Sequence, residues 1–130
     1  MPISRIQSPQ VAEPAPKRWS NCLRAGDNVY IAGLTSRGAD GQSIDGKNEY
    51  EQSMVIFRKM KFLLEAGGFE MSQIVKLTIF VTRIEHNSEV WRAREEFFEG
   101  DCPTCSLVEV SRLARPDIFV EIEGVAYVGS

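Results

Sequence analysis

The chain has 130 residues, 43% of them hydrophobic and 25% charged, with a net charge of −3. That length suits one domain, 1–130, around a single core, and the composition is that of an ordinary soluble globular protein. The acidic balance gives no support to nucleic-acid binding, which uses a basic face; no apolar run is long enough to span a bilayer; and three cysteines, an odd number, do not suggest a disulfide framework.

Residues 1–16 hold four of the six prolines and read as an extended segment, with 4–7 as a short edge strand. The segment has prolines and charges and no hydrophobic signal core, so the expected location is the cytoplasm. Residues 17–24 and 28–34 are strand-like, and Ala25-Gly26-Asp27 between them predicts a hairpin. Gly33 lies inside the second run, and a glycine there marks a bulge or a close approach. Residues 36–47 are a glycine-containing polar loop. Its Gly46-Lys47 lacks the spacing and the following hydroxyl of a phosphate-binding loop.

Residues 48–66 predict a helix with Ile56, Phe57, Met60, Leu63 and Leu64 on its apolar stripe, stopped by Gly67-Gly68. Residues 74–82 alternate, with Val75, Leu77, Ile79 and Val81 on one side. Ser88 is placed to cap a second helix whose inward stripe is Val90, Ala93 and Phe97, and Gly100 ends it. Two more strands follow. In the first, Cys105, Leu107 and Glu109 share a face. In the second, Val120, Ile122, Gly124 and Ala126 oppose Phe119, Glu121, Glu123 and Val125. Carboxylates among so many apolar neighbours must be paired, hydrogen-bonded or protonated if buried. The order predicts an α+β sandwich: one mixed six-stranded sheet with two helices on one face.

Cys102-Pro103-Thr104-Cys105-Ser106-Leu107-Val108-Glu109-Val110 and Val120-Glu121-Ile122-Glu123-Gly124-Val125-Ala126 together resemble the C-terminal signature of the RidA (YjgF) family. Ala25-Gly26-Asp27-Asn28-Val29-Tyr30-Ile31-Ala32-Gly33, Gln52, and Leu63-Leu64-Glu65-Ala66-Gly67-Gly68 also fit, in the same order along most of the chain. The resemblance implies a chorismate-mutase-like fold and a homotrimer. It implies a small-molecule hydrolase that deaminates reactive enamines and imines with activated water, in clefts between subunits, with no cofactor, metal, nucleic acid or membrane. Active family members carry an arginine two residues after the proline, where this chain has Cys105. Imines of ordinary 2-amino acids, whose carboxylate that arginine grips, are therefore expected to be poor substrates.

The candidate catalytic residues are Glu121, as the proton-transferring carboxylate implied by the resemblance, and Cys105, as a possible nucleophile or redox thiol against the plainer reading of a small strand filler. Trp19 stands where the family has a pocket aromatic, and Gly33 where its backbone approaches the ligand. Trp91 and Arg94 are further substrate-binding candidates, Arg94 as a replacement cation, against the reading of a solvated helix face. Cys102-Pro103-Thr104-Cys105 is formally C-x-x-C, but it leads into a strand and has no second pair, so a zinc site is not expected. Glu109 and Glu123 are expected to pair with Arg or Lys. Two alternatives stand beside the hydrolase: a non-catalytic ligand-binding trimer, and a cysteine-dependent hydrolase or thiol-based protective protein using Cys105.

Overall fold

The computed structural model describes residues 2–130. Six strands form one sheet: β1 (Ile3–Arg5), β2 (Cys22–Ala25), β3 (Asn28–Leu34), β4 (Ile74–Val81), β5 (Thr104–Glu109) and β6 (Val120–Tyr127). Their order across the sheet is β1-β2-β3-β6-β4-β5. Only β4 and β5 run parallel; every other neighbour is antiparallel. The two helices are α1 (Glu49–Ala66) and α2 (Asn87–Arg94). Among the described residues no helix is long and apolar enough to cross a membrane.

Helix α1 begins where Asn48 accepts a hydrogen bond from the Glu51 amide at 2.9 Å, satisfying one of the free donors of the first turn. It ends where Gly68 takes φ +85°, with the amide of Phe69 reaching back to Leu64 O and that of Gly68 to Glu65 O. This paired closure uses the left-handed conformation that glycine adopts without strain. The predicted stripe is the buried face: Ile56, Phe57, Met60, Leu63 and Leu64 are fully enclosed. They meet Val29, Ile31, Leu77, Ile79 and Ile122 from the sheet in one core.

Among the described residues neither helix covers the opposite face of the sheet. Phe80 registers with Glu121 and Val108, and Tyr30 with Val125, so these residues share that bare face. Tyr30 and Val108 remain nearly half exposed.

Several elements differ from the sequence reading: α2 ends at Arg94 rather than Gly100, which leaves Phe97 outside it, and the register shift between Ile74 and Lys76 buries Ile74 and exposes Val75. The first strand is Ile3–Arg5 rather than 4–7. Residues 17–21 are not strand: Lys17 turns through φ 67°, and the Asn21 side chain donates to Ala12 O, tying this stretch to the preceding segment instead of a ladder. Ser88 does not cap the second helix. A short 3-10 turn, Ile84–His86, leads directly into α2, and Glu109 accepts from the Ile84 amide at 3.1 Å. Glu109 thus binds backbone rather than the expected cation, and neither it nor Glu123 joins an ion pair among the described residues.

Candidate functional site

The antiparallel register of β3 and β6 shifts between Ile31 and Leu34, so β3 bulges at Gly33. Glu121 crosses that bulge. A Cβ built on Gly33 would fall onto the Glu121 carboxylate, so only glycine lets the acid lie flat against the backbone here. Both residues line a cleft of about 540 Å³, together with Trp19, Arg37, Lys59 and Ala114. Trp19 is 57% exposed, so it forms a wall of the cleft rather than part of the core.

The start of β6 is held from behind. Gln52, fully buried on α1, donates to Asp117 O at 2.8 Å and to Gly46 O at 3.2 Å, and accepts from the Phe119 amide at 2.9 Å. Arg83 stacks 3.9 Å over the Phe119 ring and makes a two-pronged ion pair with Glu49 at 2.7 and 2.8 Å. These contacts fix the backbone two residues before Glu121, which limits how far its carboxylate can wander. Desolvation, and then the charge of Glu123, raises the Glu121 pKa above the ordinary carboxylate range. No hydrogen-bond donor reaches that carboxylate among the described residues to pull it back.

Sequence reasoning missed the cations of this cleft. Lys59 of α1 donates from Nζ to Thr35 O at 2.8 Å and Arg37 O at 3.2 Å. Burial, and then the positive charge of Arg37, pushes its pKa down to about 8. The available signal was its spacing. Lys59 lies three residues after Ile56 and four before Leu63, at the margin of the apolar stripe.

The remaining candidates lie elsewhere in the chain. Cys105 registers with Leu77, which places it on the helix-covered face, opposite to Glu121. Arg94 lies 4.4 Å over the Trp91 ring, beside Cys105, and its Nε is buried without a partner. Burial raises the Cys105 pKa, and the neighbouring Arg94 only partly opposes this. Within the chain, then, Trp19, Gly33 and Glu121 form one group, and Trp91, Arg94 and Cys105 another at the β5 edge. Cys22 is buried in β2, far across the sheet order from β5, and its thiol is pushed up to about 12 by burial and then by Glu13. No cluster of three or more His, Cys, Asp or Glu side chains among the described residues could hold a metal ion.

The comparisons with known proteins agree with this architecture. The family model described as endoribonuclease L-PSP matches residues 10–128. A RutC family protein of Pyrococcus horikoshii is 29% identical over 119 residues, covering 88% of this chain and 93% of that one. A protein of Dermatophagoides farinae named 2-iminobutanoate/2-iminopropanoate deaminase is 27% identical over 126 residues, covering 97% and 94%. Among solved structures, a conserved Rid family protein of unknown function from Yersinia pestis superposes with a TM-score of 0.88 at 28% identity, covering 98% of this chain and all of the other. With its length matched almost end to end, and with the mixed six-stranded sheet, two helices on one face and C-terminal signature in place, the chain belongs to the RidA (YjgF) family.

Proposed function

We propose that the protein is a RidA-type hydrolase that converts a small imine or enamine and water to the corresponding carbonyl compound and ammonia. The observation that carries this reading is the desolvated Glu121 carboxylate laid against Gly33 on the wall of an open cleft. Imine hydrolysis needs a group that takes a proton from water as oxygen bonds to carbon, then returns one to nitrogen as the C–N bond breaks. A carboxylate with a raised pKa is suited to both steps. A relative in Dermatophagoides farinae that bears the name of an imine deaminase supports the same reaction class. A ribonuclease reading draws no support from a net charge of −3.

The assembly we propose is a homotrimer built on the bare face carrying Tyr30, Phe80, Val108 and Val125. An uncovered sheet face of this kind calls for cover. The β5 edge with Trp91, Arg94 and Cys105 would then border a neighbour's cleft. Cys105 replaces the family arginine, so imines of ordinary 2-amino acids are expected to be turned over slowly. The raised Cys105 pKa weighs against a cysteine nucleophile, because the thiol stays protonated near neutrality.

Glu121→Gln tests the reading, since the amide keeps the shape without the titrating proton. Imines generated in situ by enzymatic oxidation of a panel of amines are the substrates. The expected result is an unchanged assembly, retained ligand binding and turnover lost by at least a hundredfold. Unchanged turnover, or dissociation of the assembly, removes Glu121 from catalysis. Ligand binding with no turnover of any imine by the unmodified protein favours a non-catalytic binding role.

A further inference from the structure

We propose that Lys59 is a carbonyl-capturing residue: its amine condenses reversibly with a small aldehyde in this cleft, giving a Schiff base and water. Lys59 and the loop that holds it carry the assignment, which stands whether or not Glu121 directs a water.

The chain has five lysines; Lys17, Lys47, Lys61 and Lys76 are exposed, and Lys59 is half-buried. Its place at the margin of the α1 stripe brings the side chain to the loop after β3, where Nζ donates to Thr35 O at 2.8 Å and to Arg37 O at 3.2 Å. That loop is tied to itself: Arg37 bridges to Ile44, the Gly38 amide donates to Ser43 O, and the Asp45 amide to Ser36 O. The two acceptors are therefore held in place, and Lys59, Thr35 and Arg37 all line the cleft. An ammonium group has three N–H donors, and among the described residues the protein supplies acceptors for two of them. A neutral amine has two N–H bonds and a lone pair. The same two carbonyls satisfy it fully and leave the lone pair without a protein partner.

The surrounding charges favour that neutral form. No carboxylate lies within ion-pairing distance of Lys59 among the described residues. Burial disfavours the ammonium, Arg37 repels it, and Asp45 opposes them only in part, which leaves the pKa at about 8. Asp40 keeps its charge on the same wall, with its carboxylate taken up by the Ser43 hydroxyl and the amides of Gln42 and Ser43. Desolvation beside another cation is what makes a lysine nucleophilic toward carbonyl compounds. In the capture, the Nζ lone pair bonds to the carbonyl carbon and the π pair moves to oxygen, which takes a proton from nitrogen. The oxygen then takes a second proton from water and leaves as water, while the nitrogen lone pair forms the C=N bond; the second proton of nitrogen returns to solvent. Addition of water reverses each step. At pH 7.5 about a quarter of Lys59 is neutral, against about one in a thousand for a lysine at its ordinary value.

Reductive trapping tests the assignment. The full chain is incubated with propanal and cyanoborohydride near pH 7.5, and each lysine is read by peptide mass spectrometry, with the terminal amine counted separately. Propylation of Lys59 should run at least tenfold faster than that of Lys17, Lys47, Lys61 or Lys76. Its rate should level off by about pH 9 while the others still climb. In concentrated urea it should fall to the rate of the others, because the fold, and not the adjacent Arg58, sets its reactivity. Labelling of Lys59 no faster than the exposed lysines, a rate that climbs with theirs, or a preference that survives in urea overturns the proposal and leaves the Glu121→Gln test untouched. Fast, fold-dependent labelling of Lys59 in a protein that hydrolyses no imine supports the capture site while defeating the hydrolase reading.

Discussion

Replacing Arg83 by methionine should cost much more stability than replacing Glu49 by glutamine, although each substitution breaks the same ion pair. The asymmetry lies in exposure: the Glu49 side chain is 2% exposed and that of Arg83 39%. Without Arg83, a carboxylate remains buried at the start of α1 with no partner. Stranding one charge of a buried pair costs about 3–5 kcal/mol. Without the Glu49 charge, Arg83 keeps its place over the Phe119 ring and turns its guanidinium toward water. Glutamine also retains an acceptor for one of the two hydrogen bonds, so the loss is about 1 kcal/mol, that of an ordinary hydrogen bond. The difference of about 2–4 kcal/mol corresponds to roughly 10 °C in Tm for a domain of this size. Urea or thermal unfolding followed by circular dichroism measures it. Protein concentrations must be matched, because the proposed assembly would add stability by mass action. The double substitution should be more stable than the sum of the single losses by over about 1 kcal/mol, as expected for contacting residues. Equal losses in the two single variants would refute the reasoning, since burial would then not be what sets the cost.

Three further outcomes follow from the site. Gly33→Ala should change stability by less than about 1 kcal/mol, because alanine suits a strand and only the tip of Glu121 must move. Turnover should nevertheless fall about a hundredfold, the usual effect of a misplacement near 1 Å; equal turnover in parallel assays of the two proteins would disprove the contact's importance. Glu121→Gln should equal or exceed the unmodified protein in stability at pH 8. A carboxylate with a raised folded pKa favours folding below its unfolded pKa and loses that contribution as pH rises through the folded value, so a destabilised variant at pH 8 contradicts the desolvation. Alkylation near neutral pH, read by peptide mass spectrometry, should label exposed Cys102 first, Cys105 more slowly and Cys22 only on unfolding; Cys105 reacting ahead of Cys102 would revive the nucleophile reading.

The layers of the fold were legible because periodicity records burial. The stripe of Ile56, Phe57, Met60, Leu63 and Leu64 and the alternation of Leu77 with Ile79 each report a face turned to the core. The same alternation put Glu121 on an apolar strand, and its desolvation follows from that. Other features depend on chain segments meeting across long sequence distances. Nothing local to Glu49 names Arg83 as its partner, and Lys59 between Arg58 and Met60 looks like one more solvated charge. Residues 17–21 have strand-like composition, but their hydrogen bonds go elsewhere, and composition does not say where hydrogen bonds go. Arg94 was singled out as a replacement cation by residue type alone, and the sequence held nothing to say that it lies beside Trp91 and Cys105, with Cys105 on the sheet face opposite Glu121.

The place of β6 in the sheet governs how the molecule comes into being. The last of the six strands in chain order is the one that joins β3 to β4, and Asn28, paired with Ala25 on one side, has no strand partner on its other side until Tyr127 has been made. At about 5–20 residues per second of synthesis, the two halves of the sheet wait for seconds with open edges. Helix α1 can form early, but it has only half a surface to lie on. Closure of the sheet thus waits for β6 and is dominated by distant pairings of the kind that fold in milliseconds to seconds. A premature stop that removes the final strand should leave aggregating material, whereas loss of β1, at the margin of the sheet, takes away only a border.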